Sequence, residues 1–299
     1  MAHEAEAAEA QATIGVIGGS GLYQMEGLAD ARAVEIETPF GAPSDSITIG
    51  LLEGTPIAFL PRHGRGHHIS PSEIPVRANI WALKSLGVQW ALSISAVGSL
   101  REHIAPRDFV IPDQLFDRTR SRVNSFFEGG VVVHCAFAEP FCPIFSQAVG
   151  EAAESLGNVN VHRSGTYVCM EGPLFSTRAE SRIYRQWGAD IIGMTALPEA
   201  KLAREAELHY ATLACVTDYD SWHESEAPVT VEMVITNLQQ NVANAQRVIH
   251  EVARRAATLG KEKACDCETA LKAAILTDPQ RIPTEVKDRY SLLLGKYLA

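Results

Sequence analysis

The apolar run Ile14-Gly15-Val16-Ile17 breaks into Gly18-Gly19-Ser20-Gly21. An apolar run closed by adjacent glycines predicts a buried strand ending in a tight turn. Glycine there permits positive φ and lets another group approach the main chain closely. Exposed N–H groups in such a turn, with the Ser20 hydroxyl beside them, suit an anion, most simply phosphate. Plain turn chemistry explains the same residues, so the loop alone leaves both readings open. Two phosphate motifs are excluded. Glycines at 15, 18, 19 and 21 do not space as G-x-G-x-x-G, and no Gly-Lys-Ser/Thr follows.

The same theme recurs along the chain. Trp90 to Ser95 reads as a short strand dissolving into Ser95-Ala96-Val97-Gly98-Ser99, and Ile191-Ile192-Gly193 runs into Met194-Thr195. Tyr210 to Thr217 ends at Asp218-Tyr219-Asp220. Helical spacing over Ile74–Leu86, Ile144–Leu156 and Val231–Val252 alternates with these runs, which points to an α/β fold. In open sheets of that class, ligands collect where strands end. Ile47–Leu52 and Ile57–Leu60 predict a hairpin, followed by Pro61-Arg62-His63-Gly64-Arg65-Gly66-His67-His68. That basic loop admits three readings: a solvated loop, an anion site led by the planar fork of Arg62, or a metal site lacking a carboxylate or cysteine.

Further on, Ser176-Thr177 and Glu180 match a helix capping box, which leaves Phe175 unexplained at an exposed turn. A flat aromatic there could stack on a planar ligand. Asp218 and Asp220, two apart on an extended segment, would face one side, either capping a turn or exchanging a proton with a heterocycle. His134 reads by pattern as an ordinary packed or surface residue.

Across 299 residues the chain is 46% hydrophobic and 21% charged with a formal net charge of −10. That balance gives material for a core and argues against a protein devoted to nucleic acid backbone. No apolar run is long enough to span a bilayer. The Ala/Glu-rich start, residues 1–12, carries no basic n-region; it reads as a flexible acidic leader rather than a signal peptide, and the expected compartment is the cytoplasm. Cysteines 135, 142, 169, 215, 265 and 267 show no paired zinc spacing. Cys265-Asp266-Cys267 reads as a surface feature or a disulfide pair, with zinc disfavoured for want of further ligands.

Taken together, several motifs resemble those of the 5′-methylthioadenosine phosphorylases, in the trimeric branch of the purine nucleoside phosphorylase superfamily. They are Gly18-Gly19-Ser20-Gly21-Leu22, Arg62-His63-Gly64, Ala78-Asn79-Ile80-Trp81-Ala82-Leu83, Glu139-Pro140-Phe141-Cys142, Glu171-Gly172-Pro173-Leu174-Phe175-Ser176 and Asp218-Tyr219-Asp220-Ser221-Trp222. The resemblance runs from about Ile14 to Glu251. It implies a single α/β domain over 13–299, with a mixed central β-sheet flanked by helices, assembled as a homotrimer or dimer of trimers.

It also implies a site. Ser20, Arg62, His63, Ser95, Ala96 and Thr195 would bind phosphate, and Met194 would hold the ribose. Phe175 and Ser176 would sit at the base, with Asp218 and Asp220 on its N7 and 6-amino edge. Val231 and Val234, with His134 lent by a neighbouring subunit, would line the 5′-substituent pocket. The implied reaction is phosphorolysis of methylthioadenosine, with Asp218 as general acid, phosphate as co-substrate, no cofactor and no metal. A purine nucleoside phosphorylase of broader or 6-oxopurine specificity and a non-catalytic nucleoside-binding protein are the alternatives.

Overall fold

The computed structural model describes residues 12–19, 22, 25–223, 231–259, 261 and 265–298, without the side chains of 231–236 and 238. Residues 1–11 of the expected leader, Ser20, and the side chains of Val231 and Val234 lie outside that description. Ala12, assigned to the leader, is packed: it is buried and its N–H donates to the Leu86 carbonyl at 2.8 Å.

Among the described residues, eleven strands form one mixed sheet. Its centre is β1 (Ile14–Gly18), flanked in parallel by β4 (Thr55–Pro61) and β5 (Trp90–Ser99). β2 (Ala29–Val34) and β3 (Ile47–Leu52) extend one side as antiparallel neighbours, and β3 and β4 form the expected hairpin. On the other side of β1, β5 pairs antiparallel with β10 (Ile191–Gly193), which continues through β9 (Thr166–Met170) to β7 (Gln114–Arg118). β5 also pairs in parallel with β11 (His209–Asp218), which leads through β6 (Phe109–Val110) to β8 (Val161–His162).

β5 thus touches three strands, because the small residues of its second half let partners approach. The sequence suggested a strand ending near Ser95. Pairing of Val97 and Gly98 with β11, and of Gly98 and Ser99 with β10, instead keeps it extended to Ser99. A Cβ on Gly98 would stand 2.9 Å from Asp218 Oδ1, so the missing side chain is what lets β11 place its terminal carboxylate there.

Helices cover both faces. α1 (Val76–Ser85), α4 (Ala196–Glu205) and the C-terminal α6 (Thr284–Arg289) and α7 (Ser291–Leu298) pack with one apolar cluster. α2 (Pro143–Glu154) and α5 (Val231–Leu259) bury the second. α3 (Arg178–Gln186) starts at the expected capping box: Thr177 Oγ1 accepts from the Glu180 N–H at 3.2 Å, and the Glu180 carboxylate accepts from the Thr177 N–H at 2.8 Å. The mixed sheet between helical layers agrees with the expected architecture. No described helix is long and apolar enough to cross a membrane.

Candidate active site

The strand ends converge on one cavity of about 320 Å³, large enough to hold a nucleoside-sized molecule. Arg62, His63, Ser95, Ala96, Phe175, Met194, Thr195, Asp218 and Asp220 all line it, so residues 158 positions apart in the chain meet in a single space.

Arg62 follows β4 directly and is 1% exposed. Its guanidinium is already heavily engaged. Nε and Nη2 donate to the two oxygens of Glu199, Nη1 to the Ile94 carbonyl at 3.0 Å, and Nη2 to Ser93 Oγ at 2.7 Å. The fork that the sequence offered to an anion is therefore turned onto Glu199. What Arg62 brings to the cavity it lines is its positive charge. Glu199, in the first turn of α4, also accepts from Ser93 at 3.0 Å and Tyr210 at 3.1 Å. An Arg–Glu pair this buried needs such full satisfaction to be tolerated.

Beside it, His63 Nδ1 lies 2.9 Å from the Ile69 carbonyl, which fixes a proton on Nδ1. Its ring stacks on His67 with centroids 4.2 Å apart. Burial, with the Arg62 charge beside it, pushes the His63 pKa down to about 4. The ring is neutral at pH 7, so its Nε2 is an acceptor. A His depressed in the fold is neutral there while the unfolded ring still binds a proton, so stability falls as pH drops from about 6.5 towards 4. Urea unfolding of the His63→Gln variant should lose that part of the decline, up to about 3 kcal/mol, relative to wild type.

Ser95 Oγ and Thr195 Oγ1 lie 3.0 Å apart across the junction of β5 and β10. Thr195 precedes α4 yet makes no side-chain cap bond to it, so its hydroxyl is directed to the cavity pair instead. The next residue back, Met194, is fixed by Arg122: Nη1 donates to the Met194 carbonyl at 2.5 Å and to that of Leu197 at 2.6 Å, and Nη2 to that of Glu171 at 2.6 Å. Arg122 thereby ties the Met194 turn to the turn carrying Phe175. Gly172 makes the approach possible: its φ is +66°, and a Cβ would stand 2.5 Å from Met194 Sδ. Arg122 lies in a stretch without periodicity, which is why pattern reading passed over it.

Asp218 closes β11 and is 6% exposed. Its Oδ2 accepts from Thr217 Oγ1 at 2.7 Å and its Oδ1 from the Asp220 N–H at 2.8 Å. Burial raises its pKa to about 6 despite those two bonds, with the Asp220 charge adding to the rise. Burial also lifts Asp220, whose oxygens accept from Ser176 Oγ at 2.6 and 2.8 Å. Asp218 and Asp220 do not share a side by strand alternation. The ladder shifts register between Val216 and Asp218, and Asp220 opens a 3₁₀ turn at φ +48°. Both carboxylates reach the cavity because the chain bends there, and Asp220 caps Asp218 through its own amide.

Two expected residues of this chain stand outside the cavity. The Ser176 hydroxyl is spent behind Asp220 and does not line the cavity. His134 lines a separate groove beside the C-terminal segment, where its N–H donates to the Ala274 carbonyl at 2.8 Å. From α5, the described side chains lining the cavity are Val242 and Ala245. Asn237 and Asn241 of the same helix donate to the Thr217 and Val216 carbonyls at 2.6 and 2.9 Å, holding the bulged end of β11.

Residues 13–254, which contain every cavity residue named above, match the model for the phosphorylase superfamily. The S-methyl-5′-thioadenosine phosphorylase of Gloeobacter violaceus is 56% identical over 97% of each chain. That of Thermosynechococcus vestitus is 55% identical over 96% of this chain and 99% of its own. Among solved structures, a methylthioadenosine phosphorylase from an antarctic soil metagenomic library superposes with a TM-score of 0.91 at 50% identity, covering 96% of this chain and all of that one. A variant adenosine/methylthioadenosine phosphorylase from Schistosoma mansoni in complex with methylthioadenosine gives 0.78 at 37% identity, over 88% of this chain and 96% of that one. With identity of this order over nearly the whole length, the chain belongs to the phosphorylase superfamily and, within it, to the methylthioadenosine phosphorylases.

Proposed function

We propose that the cavity cleaves 5′-methylthioadenosine with inorganic phosphate, giving adenine and 5-methylthioribose 1-phosphate. The observation that carries this is Asp218: a buried carboxyl with its pKa near 6, in the same cavity as Phe175 and the Ser95–Thr195 hydroxyl pair.

Phosphate binds between Ser95, Thr195, the Ala96 backbone and the charge of Arg62, with Ser20 completing the loop. Neutral His63 accepts a hydrogen bond at Nε2 from the phosphate's own hydroxyl, which orients the phosphate so that an anionic oxygen is the one that attacks. Adenine stacks on Phe175, and its 6-amino group and N7 meet Asp218 and Asp220. The ribose hydroxyls meet the Met194 main chain, which Arg122 holds in place through the Met194 carbonyl. Phosphate attacks C1′ as the glycosidic bond lengthens, and the ribosyl cation is stabilised by the anion held against it. The Asp218 proton passes to N7, so adenine departs neutral.

Val231, Val234 and a neighbouring subunit's His134 complete the 5′ end in a homotrimer or dimer of trimers. The exposed apolar side chains Phe116, Ile183 and Trp187 are consistent with such a buried face. Phosphate is a co-substrate, no cofactor or metal takes part in the chemistry, and the cytoplasm is the proposed compartment.

Phe175→Ala should raise KM for methylthioadenosine about threefold to tenfold, the loss of one aromatic stack, with a smaller change in kcat. The reading itself is tested by phosphate-dependent release of base from methylthioadenosine, adenosine and inosine side by side. Methylthioadenosine should lead, with adenosine behind it, since an apolar 5′ pocket rejects a hydroxyl only modestly. Inosine in front would make the enzyme a 6-oxopurine phosphorylase, and binding without turnover would leave a nucleoside-binding protein.

A further inference from the structure

At the opposite end of β11 from Asp218, about 30 Å away along the strand, a second cluster of reactive side chains is assembled. Cys142, which caps the start of α2, and His209, the first residue of β11, meet Cys265 and Cys267 from the segment that follows α5. Cys142, His209 and Cys267 are each no more than 3% exposed. Cys267 is thus not the surface feature that its polar neighbours in sequence suggested.

We propose that Cys142, His209, Cys265 and Cys267 form a structural zinc site. One ligand atom from each residue lies within 4.8 Å of all the others. Cys142 Sγ is 3.7 Å from Cys265 Sγ, and His209 Nδ1 is 3.3 and 3.4 Å from those two sulfurs. A tetrahedral zinc with bonds of about 2.3 Å to sulfur and about 2.0 Å to nitrogen sets its sulfurs about 3.8 Å apart and sulfur and nitrogen about 3.5 Å apart. The three edges among Cys142, Cys265 and His209 are already those of the tetrahedron, and Cys267 Sγ lies within 4.8 Å of each of those atoms.

The surroundings match what a thiophilic cation needs. His209 Nε2 faces the Glu268 carboxylate at 3.3 Å, the outer-shell partner that orients a metal-bound imidazole through its second nitrogen. Trp90 stacks on the His209 ring at 3.9 Å and fixes its plane. The Phe145 N–H donates to Cys142 Sγ at 3.4 Å. Three thiolates and a neutral imidazole fill all four positions, the closed donor set of a structural site rather than a catalytic one. Its effect is mechanical: the ion ties the C-terminal segment to the start of β11 and the start of α2. Sequence reading set zinc aside for lack of ligands beyond Cys265 and Cys267. The missing two arrive from positions 142 and 209, which no local spacing joins.

The test uses the full chain, purified under reductant without chelator, dialysed anaerobically and assayed for metal by mass spectrometry. One zinc per chain is expected, falling at least fivefold in Cys267→Ser and in Cys265→Ser, and unchanged in Cys135→Ser. Replacement with Co²⁺ should give an intense thiolate-to-cobalt charge-transfer band on the wild type, a readout independent of the variants' folding. Reduced wild type that retains no zinc and shows no such band would overturn the proposal. So would full zinc in both cysteine variants, or a disulfide within the cluster that persists while added metal fails to bind.

Discussion

Asp218→Asn should lower kcat/KM for methylthioadenosine by about 10²–10⁴, the usual contribution of a positioned general acid. The change is nearly isosteric. The Asn oxygen still accepts from the Asp220 N–H, and the Thr217 hydroxyl turns to accept from the new amide. The fold should therefore survive, and its stability carries a sign of its own. A carboxyl raised from 3.8 to about 6 by burial binds its proton more tightly folded than unfolded, so its contribution to stability falls as pH rises through that window. Above pH 6 the buried charge costs up to about 3 kcal/mol, which Asn removes. The variant should be as stable as wild type or more so at pH 8 while nearly inactive, the trade expected at a catalytic carboxyl. The wild-type pH profile of kcat/KM should descend above about pH 6, and that limb should vanish in the variant. Because an amide can donate to a 6-oxo group, the ratio of inosine to methylthioadenosine turnover should rise by about tenfold or more.

Glu199→Ala carries the second large effect. Removing the carboxylate leaves the Arg62 guanidinium buried, with Ser93 and Tyr210 deprived of their acceptor. Breaking one side of such a pair costs about 3–5 kcal/mol, which urea denaturation would read as a large fall in midpoint at unchanged slope. Replacing both partners, as Arg62→Met with Glu199→Leu, should recover much of that stability but not activity, since the proposed phosphate site then loses its cationic wall. Glu199 is a positioning residue in this account: it fixes Arg62, and Arg62 meets the anion. The conservative Glu199→Gln should accordingly raise KM for phosphate more than it lowers kcat.

The parts of the fold visible in the sequence are those governed by local pattern. The hairpin of β3 and β4, the capping box at Thr177 and the apolar face of α5 each follow from spacing and turn chemistry. What stayed hidden depends on contacts between distant segments. β2, Ala-Asp-Ala-Arg-Ala-Val, carries little apolar weight because it is an exposed edge strand, paired with β3 among the described residues. β5 runs past Ser95 because two partner strands continue its ladder, and nothing in Ser95–Ser99 alone signals them. Site residues divide the same way. Arg62, Thr195, Asp218 and Asp220 stand at or just past strand ends, where an α/β sheet gathers its ligands, and Ser95 joins them from within β5. Glu199, Arg122, Asn237 and Asn241 hold those residues from a distance, and only the fold brings them close.

Whether Asp218 delivers a proton is tested most directly by changing the leaving group. The wild type and Asp218→Asn would each be given methylthioadenosine and the p-nitrophenyl 5-methylthioriboside, whose nitrophenolate departs as a stable anion and needs no acid. A proton donor to N7 predicts a loss of about 10²–10⁴ on methylthioadenosine and only a few-fold loss on the nitrophenyl riboside. Equal losses on both substrates would contradict it, and would assign Asp218 to binding the sugar and base rather than to the departure of adenine.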